Sequence, residues 1–156
     1  MFLEGFSECL GSASRRPYTA PVNQTPDSDC VTEGIRIRAA AEYLPRESSP
    51  EQDHFVFAYR ISISNEGSSP ARLVSRRWTI LDSDNRQTLV EGPGVVGETP
   101  LLGAGESFEY TSACPLTTSW GTMEGSYQME RDDGAQFDAQ VGRFFLSSLA
   151  SGPASA

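Results

Sequence analysis

The chain has 156 residues, 38% of them hydrophobic, which is long enough for one domain with a buried core but short for two. Its formal net charge of −9 excludes the basic surface of a general nucleic-acid binder. No apolar run is long enough to predict a membrane-spanning helix, so no contact with a membrane is expected. The widely spaced Cys9, Cys30 and Cys114 fit neither a zinc site nor a disulfide framework, which favours free thiols in the cytoplasm.

Both ends of the chain lack the periodicity of a helix or a strand. Residues 1–30 and 151–156 are rich in Ser, Pro, Gly and Thr, a composition typical of disordered segments. We therefore expect a disordered extension over residues 1–30, one folded domain over 31–150 and a disordered tail over 151–156. Removal of residues 1–30 is expected to leave the fold intact.

The clearest strand pattern of the folded region lies over residues 55–63, after a first strand expected to begin near Val31 or Ile35. From Phe55 to Ile63 every second residue is aromatic or β-branched, so one face of the strand is apolar, whereas Arg60 and Ser62 lie on the other face. This alternation and the later strands predict a core between two sheets. Its largest expected members are Phe57, Tyr59, Ile61, Trp78, Tyr110 and Tyr127.

The next strand, about residues 71–81, carries an irregularity in its pattern. Leu73 and Trp78 are both expected in the core, yet they fall on opposite parities. One extra residue must therefore be accommodated, and we expect a β-bulge near Ser75-Arg76-Arg77.

The rest of the chain repeats short strands and turns. Asp82-Ser83-Asp84-Asn85 is a turn signal rather than a calcium loop, because it has neither the glycine nor the distal Glu of such a loop. Asp132-Asp133-Gly134 predicts a tight hairpin turn. Further strands are expected over residues 86–91, 108–112, 123–129 and 137–141. About seven antiparallel strands at this spacing predict an all-β sandwich of immunoglobulin-like type.

The segment from Glu91 to Pro100 contains a GxGxxG motif formed by Gly92, Gly94 and Gly97. In dinucleotide-binding folds this motif leads into a helix whose amides hold phosphate. Here Pro100 follows at once, so no such helix is expected, and the loop joins two strands.

Two interpretations of this loop remain open. Its backbone N–H groups could form an anion-binding nest, to which Arg76 or Arg77 adds a bidentate phosphate contact. Alternatively, Gly92, Gly94 and Gly97 provide conformational freedom in a long crossing loop. The second interpretation is favoured, because the motif lacks its usual context.

Few residues suggest other chemistry. Trp78 is expected in the core and Trp120, between Ser119 and Gly121, at the surface, where it is the better candidate for a contact with a partner. His54 is the single histidine, and no spacing suggests a catalytic triad, a carboxylate pair or a metal site. We therefore expect no enzyme activity and no cofactor.

Several segments resemble the ApaG domain family in order and spacing over about residues 31–146. They are His54–Tyr59, Arg76–Asp82, Glu91–Pro100, Phe108–Ser112 and Glu124–Met129. The resemblance implies a fibronectin-type-III-like sandwich that occurs alone in bacteria and fused to other proteins in eukaryotes. It also implies that Val31, a possible GTG start, would begin a domain of ordinary family length, so residues 1–30 are either an extension or untranslated.

Taken together, these patterns favour a non-enzymatic cytoplasmic module that binds another protein through a sheet face or edge. The alternative partner is a phosphate-rich small molecule, a nucleotide or pyrophosphate, held by Gly92, Gly94 and Gly97 with Arg76 and Arg77.

Overall fold

The computed structural model describes residues 12–17 and 27–148, which form ten β-strands and two short 3-10 helices. The helices cover Pro45–Glu47 and Pro50–Gln52. The strands are β1 (Ser12–Pro17), β2 (Ser28–Thr32), β3 (Ile35–Tyr43), β4 (Phe55–Asn65), β5 (Ala71–Asp82), β6 (Gln87–Pro93), β7 (Leu101–Leu102), β8 (Glu106–Leu116), β9 (Trp120–Arg131) and β10 (Gln136–Ser147). In this part of the chain no helix is long and apolar enough to cross a membrane.

The strands form two sheets in which all neighbours are antiparallel. The first sheet has the order β1-β8-β4-β3-β2, and the second has the order β10-β9-β5-β6, with β7 also pairing with β5. The predicted antiparallel sandwich is therefore confirmed, with ten strands instead of about seven. The additional strands include the polar β1 and the two-residue β7, which are too short or too polar to show an alternating pattern.

The alternating pattern places β4 as expected. Phe57, Tyr59, Ile61 and Ile63 are buried, whereas Arg60 is exposed. The strand pairs with β3 on one side and β8 on the other, with Phe57 opposite Cys114. It therefore lies at the centre of the first sheet and contributes its apolar face to the core.

The irregularity in β5 is a shift of its register against β9. The shift falls between Leu73 and Ser75, so the extra residue is Val74, one position before the predicted segment. As a result Leu73 and Trp78 are both buried. Arg76 lies two residues before Trp78 and so shares its face of the strand, which after the shift is also the face of Leu73.

Aromatic side chains fill the space between the sheets. Trp78 lies with its ring centroid 5.6 Å from that of Tyr59, 5.9 Å from that of Tyr127 and 6.0 Å from that of Phe144, each ring edge-on to the indole. Edge-to-face packing of this kind adds to the energy of burial. All six residues predicted for the core are buried.

The N-terminal residues that the structure describes are paired. Ser12–Pro17 pair with residues 106–111 of β8, and β2 begins at Ser28, three residues before the domain start expected at Val31. The rest of the 1–30 extension and the 151–156 tail lie outside the described residues.

Candidate functional site

The glycine loop folds as a tight hairpin. The Val95 N–H donates to the Glu98 carbonyl at 2.8 Å, and the Glu98 N–H donates back to the Val95 carbonyl at 2.9 Å. Val96 and Gly97 between them have φ of 41° and 80°, the signs that a type I′ turn requires. As expected, the loop leads to a strand and not to a helix.

Most amides of this hairpin already have carbonyl partners. The Gly94 N–H donates to the Val74 carbonyl at 2.8 Å, and those of Val95 and Glu98 close the turn. Within the described residues, only Val96 and Gly97 of the segment 94–98 keep an N–H without a hydrogen bond. The loop can therefore offer two amides to an anion, fewer than a phosphate nest built on the whole motif.

Each glycine of the motif has a distinct structural role. A Cβ at Gly94, where φ is 59°, would lie 2.2 Å from the Glu98 carbonyl oxygen. A Cβ at Gly97 would meet nothing within 4 Å, although φ is 80°. A Cβ at Gly92 would lie 3.1 Å from the guanidinium of Arg76, so this glycine leaves room for that side chain.

We expect Gly94→Ala to destabilise the protein more than Gly97→Ala. Both variants incur the cost of a left-handed backbone, about 1–2 kcal/mol, but only Gly94→Ala adds a clash with backbone. Guanidinium-induced unfolding of the two variants and the wild type measures the difference. Equal losses would show that the contact with Glu98 is relaxed at no cost.

Arg76 reaches back over the glycine loop. Its Nη1 donates to the carbonyl of Pro93 at 3.0 Å and to that of Gly94 at 3.1 Å. No carboxylate among residues 27–148 lies within ion-pair distance of it. The guanidinium is thus fixed in place, and its charge is not neutralised by this part of the chain.

Arg77 points the other way. Its Nε lies 3.1 Å from a carboxylate oxygen of Glu91 on the neighbouring strand, and both side chains are mostly exposed. An exposed pair of this kind contributes little to stability. Of the two candidate arginines, Arg77 is therefore paired with an acid at the surface, and Arg76 is the one beside the glycine loop.

A cleft of about 420 Å³ opens between the sheets beside Arg76. The hairpin from Val95 to Gly97 forms one wall, and the opposite wall is made of β4 and β8. That wall presents three hydroxyl-bearing side chains, Tyr59, Tyr110 and Ser112. The sequence pattern assigns Tyr59 and Tyr110 to the core, and nothing in it indicates that the core opens at this end.

The tyrosines at the cleft are neutral at physiological pH. Burial raises the pKa of Tyr59, Tyr110 and Tyr127 well above the ordinary value. The positive charge of Arg76 opposes this increase in the pKa at all three residues. Tyr59 is hydrogen-bonded to Ser112, and the hydroxyls of Tyr110 and Tyr127 are hydrogen-bonded to each other.

Trp78 lies beside this region and contacts a separate, smaller cavity. A cavity of about 20 Å³, also lined by Tyr59 and Arg76, lies against it. The indole N–H is buried and has no hydrogen-bond partner among the described residues. A buried donor without an acceptor is uncommon in folded proteins.

A second feature lies outside the cleft, in β9 and β10. Trp120 and Phe145 stack on the outer face of β9 and β10, with ring centroids 6.4 Å apart and an interplanar angle of 29°. Their exposed fractions are 45% and 60%. The expected exposure of Trp120 is confirmed. The exposure of its neighbour Phe145 was not predicted, because a register shift between Val141 and Phe144 interrupts the alternating pattern of β10.

The remaining candidates have structural roles. The Asp82 carboxylate accepts hydrogen bonds from the N–H groups of Asp84 and Arg86, as a turn residue does. His54 pairs with Ser49 in an isolated bridge. The described residues contain no group of three or more His, Cys, Asp or Glu side chains that could hold a metal ion.

Two antiparallel sheets around an aromatic core, with a cleft at one end, define the protein as an all-β sandwich domain. Residues 45–131 match the family model of the ApaG domain. The chain belongs to the ApaG domain family, which confirms the resemblance drawn from its motifs.

Individual relatives match nearly their whole length. The chain is 54% identical over 120 residues to Protein ApaG from Azoarcus sp. strain BH72, covering 77% of this chain and 94% of that protein. It is 48% identical over 121 residues to Protein ApaG from Dechloromonas aromatica, covering 78% of this chain and 95% of that protein. A crystal structure of an ApaA protein from Bordetella pertussis is similar, with a TM-score of 0.73 and 43% identity over 75% of this chain and 95% of that one.

Proposed function

We propose that this ApaG-domain protein is a non-enzymatic cytoplasmic module that binds another protein. The observation that carries the proposal is the exposed, stacked pair of Trp120 and Phe145. Large aromatic side chains dominate the binding energy of protein interfaces, and they are costly to leave in water on an otherwise polar surface.

The backbone around this pair is well supported. Trp120 lies opposite Ser147 and Phe145 opposite Thr122, so the two rings are diagonal neighbours on one face of the sheet. Thr118 donates its hydroxyl to the Trp120 carbonyl at 2.8 Å, and the Ser148 N–H donates to Ser119 at 3.0 Å. A partner would therefore meet two aromatic rings that are already ordered.

The test compares a double variant, Trp120→Ser with Phe145→Ser, with Leu89→Ser, which changes another exposed apolar residue of the same sheet. We expect a partner cross-linked to the wild type in cells to be retained by Leu89→Ser and lost by the double variant. Melting temperatures should stay close to that of the wild type, because both sites are exposed. An unchanged set of cross-linked partners in the double variant would contradict the proposal.

A second candidate is the binding of a nucleotide or pyrophosphate by the glycine loop. It is supported by the position of the loop, which lines the same cleft as the uncompensated Arg76 and leaves the N–H groups of Val96 and Gly97 available. Calorimetric titration with diadenosine tetraphosphate, ATP and pyrophosphate tests it. No heat of binding at millimolar ligand would contradict it.

A further inference from the structure

We infer that the inner part of the cleft is a site for a single oxyanion, a carboxylate or a phosphate, held by side-chain donors and not by the glycine loop amides. The inference rests on the second proposed function only in placing an anion beside Arg76. It differs in the groups that bind and in the size of the group bound.

The first support is the state of Arg76. Nη1 is held by the carbonyls of Pro93 and Gly94, and the guanidinium lies so close to Gly92 that a Cβ there would be 3.1 Å from it. Its remaining N–H groups make no hydrogen bond within the described residues. Because the guanidinium is already fixed, it loses little further conformational freedom when a ligand binds. Its planar geometry matches that of a carboxylate or phosphate.

The second support is the wall opposite Arg76. Tyr59, Tyr110 and Ser112 are all buried and all line the cleft. Their hydroxyls are neutral, and they take part in two hydrogen bonds, one between Tyr59 and Ser112 and one between Tyr110 and Tyr127. In each pair the accepting hydroxyl still has a hydrogen that it can donate to a ligand. No carboxylate side chain lines the cleft with them, so the wall adds donors without adding negative charge.

The third and independent support is the unpaired indole N–H of Trp78. It is buried and has no partner among residues 27–148, and its ring is one of the side chains that line the small cavity together with Tyr59 and Arg76. That cavity, about 20 Å³, has room for one oxygen-sized group. An oxygen there would give the indole the acceptor that the protein itself does not supply.

Most N–H groups of the glycine loop, by contrast, already have hydrogen-bond acceptors within the protein. The N–H groups of Gly94, Val95 and Glu98 donate to backbone carbonyls, and the loop turns two further carbonyls toward Arg76. Its main contribution is therefore to hold the arginine. The cleft volume of about 420 Å³ lies in the range of small-molecule sites, so the oxyanion can belong to a larger ligand or to an acidic side chain of a partner.

The experiment is a titration of the ¹⁵N-labelled full chain with inorganic phosphate, acetate and pyrophosphate, followed by the two indole N–H resonances. We expect the Trp78 resonance to shift with phosphate or acetate, while that of the exposed Trp120 stays in place as an internal control. A response to acetate identifies a site for carboxylates, and a response to phosphate alone identifies one for phosphoryl groups.

Two variants form the matched pair. Arg76→Gln is expected to weaken binding at least tenfold, and Arg77→Gln, which removes the neighbouring charge on the opposite face, is expected to leave it within twofold. Ser112→Ala, which keeps the arginine and its loop contacts, is expected to weaken binding several-fold and keeps the test valid if Arg76→Gln does not fold.

The outcomes separate this inference from the loop proposal. Shifts at Val96 and Gly97 with pyrophosphate, without a shift of the Trp78 indole or dependence on Arg76, would support the loop and overturn the inner site. Shifts of the Trp78 indole with single oxyanions but no added affinity for pyrophosphate would support the inner site and contradict the loop. No shift with any probe would overturn both.

Discussion

Phe57→Ala is expected to lower the free energy of unfolding by about 3–5 kcal/mol, a large part of the total stability of a domain of this size. Phe57 has no exposed surface and lies in the middle of β4, opposite Cys114 of β8. Its ring centroid is 5.4 Å from that of Tyr43. Its removal leaves a cavity that the surrounding strands, each held by two ladders, cannot close.

The matched control is Phe145→Ala, the same chemical change at a residue with 60% exposure. It is expected to change the free energy of unfolding by about 0.5 kcal/mol or less, as is usual for surface positions. Guanidinium-induced unfolding of both variants gives the comparison. Similar losses at the two positions would mean that the register of β4 is wrong by one residue.

The second large effect expected is a steep loss of stability at alkaline pH. Burial raises the pKa of Tyr59, Tyr110 and Tyr127 above the ordinary value near 10, and raises the pKa of the Cys114 thiol to about 12. In the unfolded chain these groups release protons near their ordinary pKa, whereas in the folded protein they keep them. The stability that Cys114 contributes therefore decreases as the pH rises through 9, and the stability that the tyrosines contribute decreases as the pH rises through 10.

The three tyrosines alone should lower the free energy of unfolding by about 4 kcal/mol for each pH unit above 10, since each contributes about 1.4 kcal/mol per unit. Denaturant unfolding at pH 9, 10 and 11 measures the slope, and tyrosinate absorbance should increase together with unfolding. Tyr110→Phe removes one of the three groups and should reduce the slope by about one third. Ionisation of all five tyrosines near pH 10 in a protein that remains folded would contradict the prediction.

Much of the fold could be predicted because apolar and polar side chains alternate along its strands. The apolar face of β4 and the conflict of parity between Leu73 and Trp78 follow from the two-residue period of a strand. The bulge lies at Val74, one residue before the predicted segment, because Val74 and Ser75 fit an extended backbone equally well. β1 was missed because a strand made of Ser, Ala, Arg and Pro is stabilised by its backbone ladder, which leaves no pattern in the sequence.

The site was only partly predictable. The glycine motif and Arg76 could be recognised in the sequence, and Pro100 predicted that no helix follows the motif. The cleft was not, because its walls combine residues from β4, β5 and β8 that are distant in the chain. Tyr59 and Ser112 have the spacing of core residues, and only the three-dimensional separation of the sheets shows that their hydroxyls face an opening.

The order of the strands also has a consequence for the rate of folding. The edge hairpins, such as β9 with β10 around the turn at Gly134, join neighbouring segments of the chain. The central ladders instead join distant segments, as where Phe57 meets Cys114 and Trp78 meets Gly125. Since the entropy of closing these long loops must be overcome before the aromatic core can form, folding should be slow for this size, roughly milliseconds to seconds. The hairpins can form early, but the polypeptide stays exposed to aggregation until the two central ladders close.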